Sequence, residues 1–343
     1  MTASPHPAPT RLGPETVTHA LLEAVCDGAG AAVADVAVLE LLGPGAVACM
    51  QGLLTNDVDP DGAFVYGALL TAKGMIVVDG WVSRQGARVG YTVPASGRDD
   101  VTEIYRRSIP PRLARWRDRT DECVVLRLVG ARARSVSARA GVPLPETPGR
   151  AIEALTHGTA CEVALAPPGA PFAVQITVAR EDIGLLREAL ATAGVQILDP
   201  AALDLARLLV GWPALGAEVD ERTIPQEVRL DEIGGVSYTK GCYTGQETVS
   251  RLHFRGHTNR NLRGLLFEAE PGPDAVVRTG ERDAGRVTSM AWIPAGARMP
   301  RLGRWIGLGV LRRDVTPGAT VTAAGVAARV VDLPFSLPYI EPA

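Results

Sequence analysis

The apolar positions of this chain fall mostly into short runs of alternating period, broken by a few segments with helical spacing. Residues 31–42 alternate loosely and stop at Gly43-Pro44-Gly45, which predicts a strand, and residues 46–54 suit a short helix. The β-rich runs 64–71 and 75–83 meet at Ala72-Lys73-Gly74, predicting a hairpin, and 88–93 reads as a third strand. Residues 99–108 have helical spacing up to Pro110-Pro111. An apolar strand at 123–129 precedes a small helix at 131–140, and 150–179 holds two or three more strands. Amphipathic helices follow at 181–193, ending at Gly194, and at 200–210, after Asp199.

After Arg255 the pattern changes. Runs at 262–267, 275–278, 285–290, 305–312 and 328–332 are short and separated by Gly and Pro, and none suits a helix. The expectation is a small C-terminal β-barrel or sandwich from about 256. Strand groups interrupted by single helices place the whole in the α+β class with antiparallel sheets. The domain reading is a flexible lead-in over 1–28, a main region over 29–255 with a split near 120, and the barrel over 256–343.

Composition narrows the function classes. The 343 residues carry 35 Lys plus Arg against 38 Asp plus Glu, a net charge of −3, which argues against a dedicated nucleic-acid binder, and no direct DNA binding is expected. No apolar run reaches membrane-spanning length, and the Pro- and Thr-rich start lacks the layout of a signal peptide. The five cysteines, Cys26, Cys49, Cys123, Cys161 and Cys242, are odd in number, widely spaced and without a CxxC pair. They predict a reduced, cytoplasmic protein without a resident metal or cluster. His253 and His257 have a metal-compatible spacing, but Gly256 lies between them and no third ligand is evident.

The densest chemistry lies in KGCYTGQETVSR at 240–251. Residues 236–239 read as a short strand and 245–254 as the first turns of a helix, so Cys242 falls in the turn between them. A helix N-terminus and the nearby Lys240 ammonium both favour a thiolate. A small buried thiol in a Gly-rich turn explains the same spacing. In the basic stretch 106–119, Arg106, Arg107, Arg112, Arg115, Arg117 and Arg119 are read either as a solvated face or as a site for an anionic tail, a partner protein or RNA.

The 240–251 segment resembles the signature of the YgfZ family of folate-binding proteins, K-G-C-(F/Y)-x-G-Q-E-x-x-(A/S)-R, at every fixed position. QGLLTND at 51–57 and ALLTAKG at 68–74 are similar to that family's N-terminal pattern, with Ala72 in place of Pro. The resemblance covers roughly residues 30 to 330. It implies the aminomethyltransferase-like folate-binding fold of ferredoxin-like pieces with a C-terminal barrel, as in the glycine-cleavage T-protein. It also implies tetrahydrofolate or a derivative as cofactor, and iron–sulfur client proteins or assembly factors, including tRNA-modifying enzymes, as partners.

On that resemblance Cys242 and Lys240 are the reactive candidates, and Gln246, Glu247, Arg251, Tyr243, Asn56 and Asp79 the folate-binding ones. Tyr66 and Trp81 are candidate ring-stacking partners, or core. Asp79 separates this reading from a folate-dependent aminomethyl transferase. The T-protein carries an acidic pair in the comparable segment, whereas here Val78 precedes a lone Asp79 expected at a strand end, where turn residues are common.

Overall fold

The computed structural model describes residues 9–273, 275–296 and 303–335. Its first part contains β1 (Thr10–Leu12), α1 (His19–Cys26), β2 (Gly30–Val33), β3 (Val36–Leu42), α2 (Ala46–Gln51) and β4 (Phe64–Leu70). There follow β5 (Ile76–Gln85), β6 (Arg88–Pro94), α3 (Arg98–Ser108), β7 (Arg115–Asp118), β8 (Cys123–Val129) and α4 (Ala133–Arg139). The middle continues with β9 (Arg150–Thr156), β10 (Thr159–Leu165), β11 (Val174–Ala179), α5 (Ile183–Thr192), β12 (Gln196–Ile197), α6 (Ala201–Val210) and α7 (Gln246–Arg255). The last part is all β: β13 (Arg260–Phe267), β14 (Val276–Thr279), β15 (Arg282–Ile293), β16 (Arg304–Arg312), β17 (Thr320–Ala323) and β18 (Val326–Val331).

These strands form three sheets. Residues 36–118 supply a five-stranded antiparallel sheet in the order β4-β5-β6-β3-β7. A six-stranded sheet runs β12-β2-β8-β11-β10-β9, antiparallel except where β12 joins β2. In the C-terminal sheet, pairing of β15 with β16 closes β13 to β18 into a barrel. The α+β class with antiparallel sheets and a C-terminal barrel is therefore what the structure shows.

Two expectations need correction. The supposed lead-in is structured from β1 onward. Thr10–Leu12 adds to β15 in parallel, and α1 is capped by the Thr18 hydroxyl, which accepts from the Leu21 N–H at 3.2 Å, while Leu22 and Val25 are buried. Residues 1–8 lie outside the described residues. The single strand expected over 31–42 is two strands in different sheets, because β2 pairs with β8 and β3 with β6. Between them, the Ala34 N–H donates to Val125 O and the Asp35 carbonyl accepts from the Ala95 N–H, so the backbone changes sheets at these two residues.

Each sheet has its own apolar core, and a fourth cluster joins all three. Alternation along the hairpin strands sets this up. Val78 and Val82 of β5 pack inside the five-stranded unit, whereas Trp81 faces the shared cluster with Phe64 and Tyr66 of β4. Helix α6 contributes Ala202, Leu205, Ala206, Leu208 and Leu209 to that junction and ends at Gly211, whose φ of 69° permits the left-handed exit towards Trp212. Arg207 of α6 ties the junction to the barrel through Glu218 at 3.1 Å and Ser289 at 3.1 Å.

Candidate functional site

The junction of the sheets leaves a cavity of about 290 Å³ lined by Tyr66, Asp79, Trp81, Arg127, Phe172 and Trp212, among others. Its walls are aromatic by design of the strand register. Tyr66 lies opposite Trp81 across the hairpin, and Trp81 stacks on Trp212 with ring centroids 5.6 Å apart and planes within 15°. Phe172 meets Trp81 edge-on at 4.9 Å.

Asp79 lies within β5, paired with Ala68, and not at a strand end; the turn reading of this residue is corrected by the register. Strand β5 starts at Ile76, so Asp79 is well inside the sheet and only 4% exposed. Its Oδ2 accepts the Tyr66 hydroxyl at 2.6 Å, while Oδ1 is buried without a hydrogen-bond partner among the described residues. Burial raises the Asp79 pKa to about 6, against the Tyr66 hydrogen bond, which lowers it. Burial pushes the Tyr66 phenol well above its usual value, with the Asp79 charge adding to the effect. A buried acid with one satisfied and one orphan oxygen is equipped to accept a ligand N–H or to exchange a proton.

Arg127 projects into the same cavity from β8. Its Nε donates to Gln175 Oε1 at 3.0 Å, and its guanidinium carbon sits 4.6 Å from the centroid of the Phe172 ring. Burial lowers its pKa to about 10, with the Tyr66 and Asp79 charges opposing that shift. Arg127, Gln175, Phe172 and Trp212 were not singled out from the sequence. The available signal was a lone charge in the apolar run 123–129 and a lone amide in strand 174–179.

The signature segment forms a second, separate locus. Residues 236–239 are irregular, correcting the expected strand, because their backbone bonds go to a loop: the Ser237 N–H donates to Thr55 O at 2.9 Å. The Lys240 ammonium donates to the carbonyls of Gln51, Leu54 and Asn56 at 2.8, 2.7 and 2.8 Å. All three of its hydrogens are thereby used, one at the last residue of α2, where carbonyls lack helical partners, and two on the loop that follows. Burial brings its pKa down to about 8, with the Asp57 charge acting the other way. Its Nζ also lies 5.2 Å from the ring centroid of Tyr243, which is buried and whose hydroxyl has no hydrogen-bond partner among the described residues.

Asn56 braces the same loop, donating to Tyr66 O and Gly234 O at 2.7 Å each and accepting the Asp57 N–H at 2.8 Å. Gly245, with φ of 80°, caps α7 against the β4–β5 hairpin, where a Cβ would come within 2.5 Å of Thr71 O. Thus the two sequence stretches behind the family resemblance are one braced unit.

Cys242 is exposed and lies beside Gln51, Asp59, Arg84 and Ala87 in a shallow cleft. Gln246 is half-buried at the start of α7, and Glu247 and Arg251 are exposed on that helix; none of the three lines the aromatic cavity. In the basic stretch, Arg117 pairs with Glu122 at 2.7 Å and Arg119 with Glu40 at 2.8 Å. The His253 ring stacks on Tyr238 at 3.7 Å, and no cluster of three metal-ligating side chains is found among the described residues. Nor, among these residues, is any helix long and apolar enough to cross a membrane.

Residues 20–146 match the GCVT N-terminal domain family. The tRNA-modifying protein YgfZ of Vibrio vulnificus (strain YJ016) is 36% identical over 155 residues, a match spanning 43% of this chain and 46% of that protein. The tRNA-modifying protein YgfZ of Escherichia coli O127:H6 is 28% identical over 315 residues, covering 88% of this chain and 92% of that one. Glycine cleavage system aminomethyltransferase T from Bartonella henselae shares the fold, with a TM-score of 0.77 at 20% identity over 92% of this chain and 88% of its own. The resemblance read from the sequence holds along most of the chain, which is similar to the tRNA-modifying proteins YgfZ, matches the GCVT N-terminal domain over 20–146 and has the fold of the aminomethyltransferase.

Proposed function

We propose that this chain binds a reduced folate, tetrahydrofolate or a derivative, in the aromatic cavity and acts as an accessory protein to iron–sulfur enzymes, including tRNA-modifying ones, with Cys242 as its reactive group. The observation that carries the folate reading is the orphan Asp79 Oδ1, buried beside the stacked Trp81 and Trp212 rings. A pterin is flat and rimmed with N–H donors, so it satisfies both the slab and the acid. When bound, tetrahydrofolate supplies a carrier for one-carbon units.

The protein's own part in this reading is positional. Tyr66 fixes one oxygen of Asp79 and leaves the other for the ligand. Lys240 fixes the loop that carries the thiol, so its contribution to Cys242 is placement and not direct hydrogen bonding to sulfur. The exposed position of Cys242 suits a thiol that meets a partner protein.

Calorimetric titration with tetrahydrofolate tests the cavity. Saturable one-site binding that weakens in Asp79→Asn is the expected result, and absence of binding to the native protein would end the folate reading. Complementation of a strain lacking its YgfZ counterpart tests the thiol: Cys242→Ala should fail, and full rescue would remove Cys242 from the proposal.

One observation favours a second reading, an aminomethyl transferase: Asp79 is a buried acid whose pKa of about 6 suits proton exchange near neutrality. That reading requires turnover of a methylamine donor with tetrahydrofolate, abolished in Asp79→Asn.

A further inference from the structure

Asp79 faces a second charged group across the cavity's lining, and that group has an unusual set of partners. Arg127 is set in a strand whose neighbours Leu126 and Leu128 are fully buried, on the six-stranded sheet, whereas Asp79 belongs to the five-stranded one. Among the described residues Arg127 makes no ion pair, and its hydrogen bond uses Nε, leaving the terminal nitrogens of the guanidinium to the cavity. Gln175, 2% exposed, and the Phe172 ring hold the guanidinium plane in place. A half-buried guanidinium held this firmly ordinarily finds a carboxylate. Here the nearest provision for those donors is whatever occupies the cavity.

Resting on the folate reading above, we infer that Arg127 is a specificity-determining residue that donates to a ring oxygen of the ligand, while Asp79 accepts from an N–H edge of the same ring. The ligand class is therefore a flat lactam-type heterocycle with donor and acceptor groups on one ring, as in a reduced pterin. An anionic tail is the poorer occupant for Arg127. The same cavity lining includes Asp204, which Arg207 pairs at 3.1 Å, and Asp35, which with Asp79 disfavours a carboxylate passing inward. A neutral oxo group meets no such repulsion and still gains a charge-assisted hydrogen bond.

The test uses the full chain and two probes, tetrahydrofolate and 6-methyltetrahydropterin, which keeps the ring and lacks the tail. Both are titrated by calorimetry into the native protein, Arg127→Met and Arg127→Lys. The expected result is a loss of roughly 10- to 100-fold in affinity in Arg127→Met, equal for the two probes, from removal of one charge-assisted hydrogen bond. Arg127→Lys should recover part of that loss, because it keeps the charge and not the planar fork.

Unchanged affinity in the variants overturns the inference and leaves the folate reading standing. A loss confined to tetrahydrofolate also overturns it, placing Arg127 on the tail. If the native protein binds neither probe, the folate reading fails and takes this assignment with it. Should Arg127→Met melt well below the native protein, Arg127→Lys decides alone: full native affinity for both probes refutes the role.

Discussion

Replacing Asp79 by Asn should stabilise this protein at neutral pH and leave it nearly unchanged in acid. Asp79 is 4% exposed, and its pKa rises from 3.8 to about 6 on folding, chiefly through burial. The folded state therefore holds its proton more tightly than the unfolded chain does. The resulting stability is fully present below the unfolded pKa and is lost as pH rises through the folded one. The shift corresponds to about 3 kcal/mol of cost at neutral pH for burying the carboxylate. Asparagine accepts the Tyr66 hydroxyl without carrying charge, so it escapes that cost. Urea unfolding of both proteins at pH 4.0 and pH 7.5 measures the effect. The variant should gain about 2–3 kcal/mol over the native protein at pH 7.5, and well under 1 kcal/mol at pH 4.0. Equal differences at the two pH values would show that Asp79 does not titrate between them, and the buried-acid account would be wrong. A ligand N–H meeting Oδ1 favours the charged form, so folate binding near pH 6 should also release protons, seen as a dependence of the calorimetric heat on buffer ionisation enthalpy.

Three further outcomes follow from the thiol loop. Lys240→Met removes three charge-assisted hydrogen bonds from the end of α2 and the loop after it and should cost about 1.5–3 kcal/mol, with faster amide exchange at 51–57; native-like exchange there would refute the clamp. Cys242→Ser should change stability by less than about 0.5 kcal/mol, and a maleimide should label Cys242 before the buried Cys123 and Cys161; equal labelling rates would contradict the exposed placement.

The elements easiest to read in advance were those whose pattern is local. The strand at 123–129 declares itself through an apolar run broken only at Arg127, and the helix at 200–210 through helical apolar spacing, each with a glycine following. The break at Ala34 and Asp35 does not, because two strands of like composition continue one another and only pairing partners separate them. Strand β7 carries mostly polar residues, RWRD, and exists because β3 offers it an edge. At the site, KGCYTGQETVSR stood out by composition, yet Lys240 spends its charge on backbone carbonyls from a loop nearly two hundred positions earlier, a partner no spacing rule identifies. Arg127 and Trp212 were obscure for the same reason: the cavity is assembled from strands of two sheets and the turn after α6, and its chemistry appears only when they converge.

The brace between Lys240 and Gln51 spans 189 residues of chain. A contact with so large a loop to close forms after the intervening sheets have settled, since the entropy of closure must be met before the bonds return anything. A nascent chain that has not yet emerged through residue 240 has no means of ordering the 51–57 turn in this way. The Cys242 segment, in turn, acquires its shape only against a completed N-terminal unit. Organisation of the thiol thus reports that the rest of the chain has already been built correctly, and an immature or locally opened molecule would present the cysteine on a slack loop.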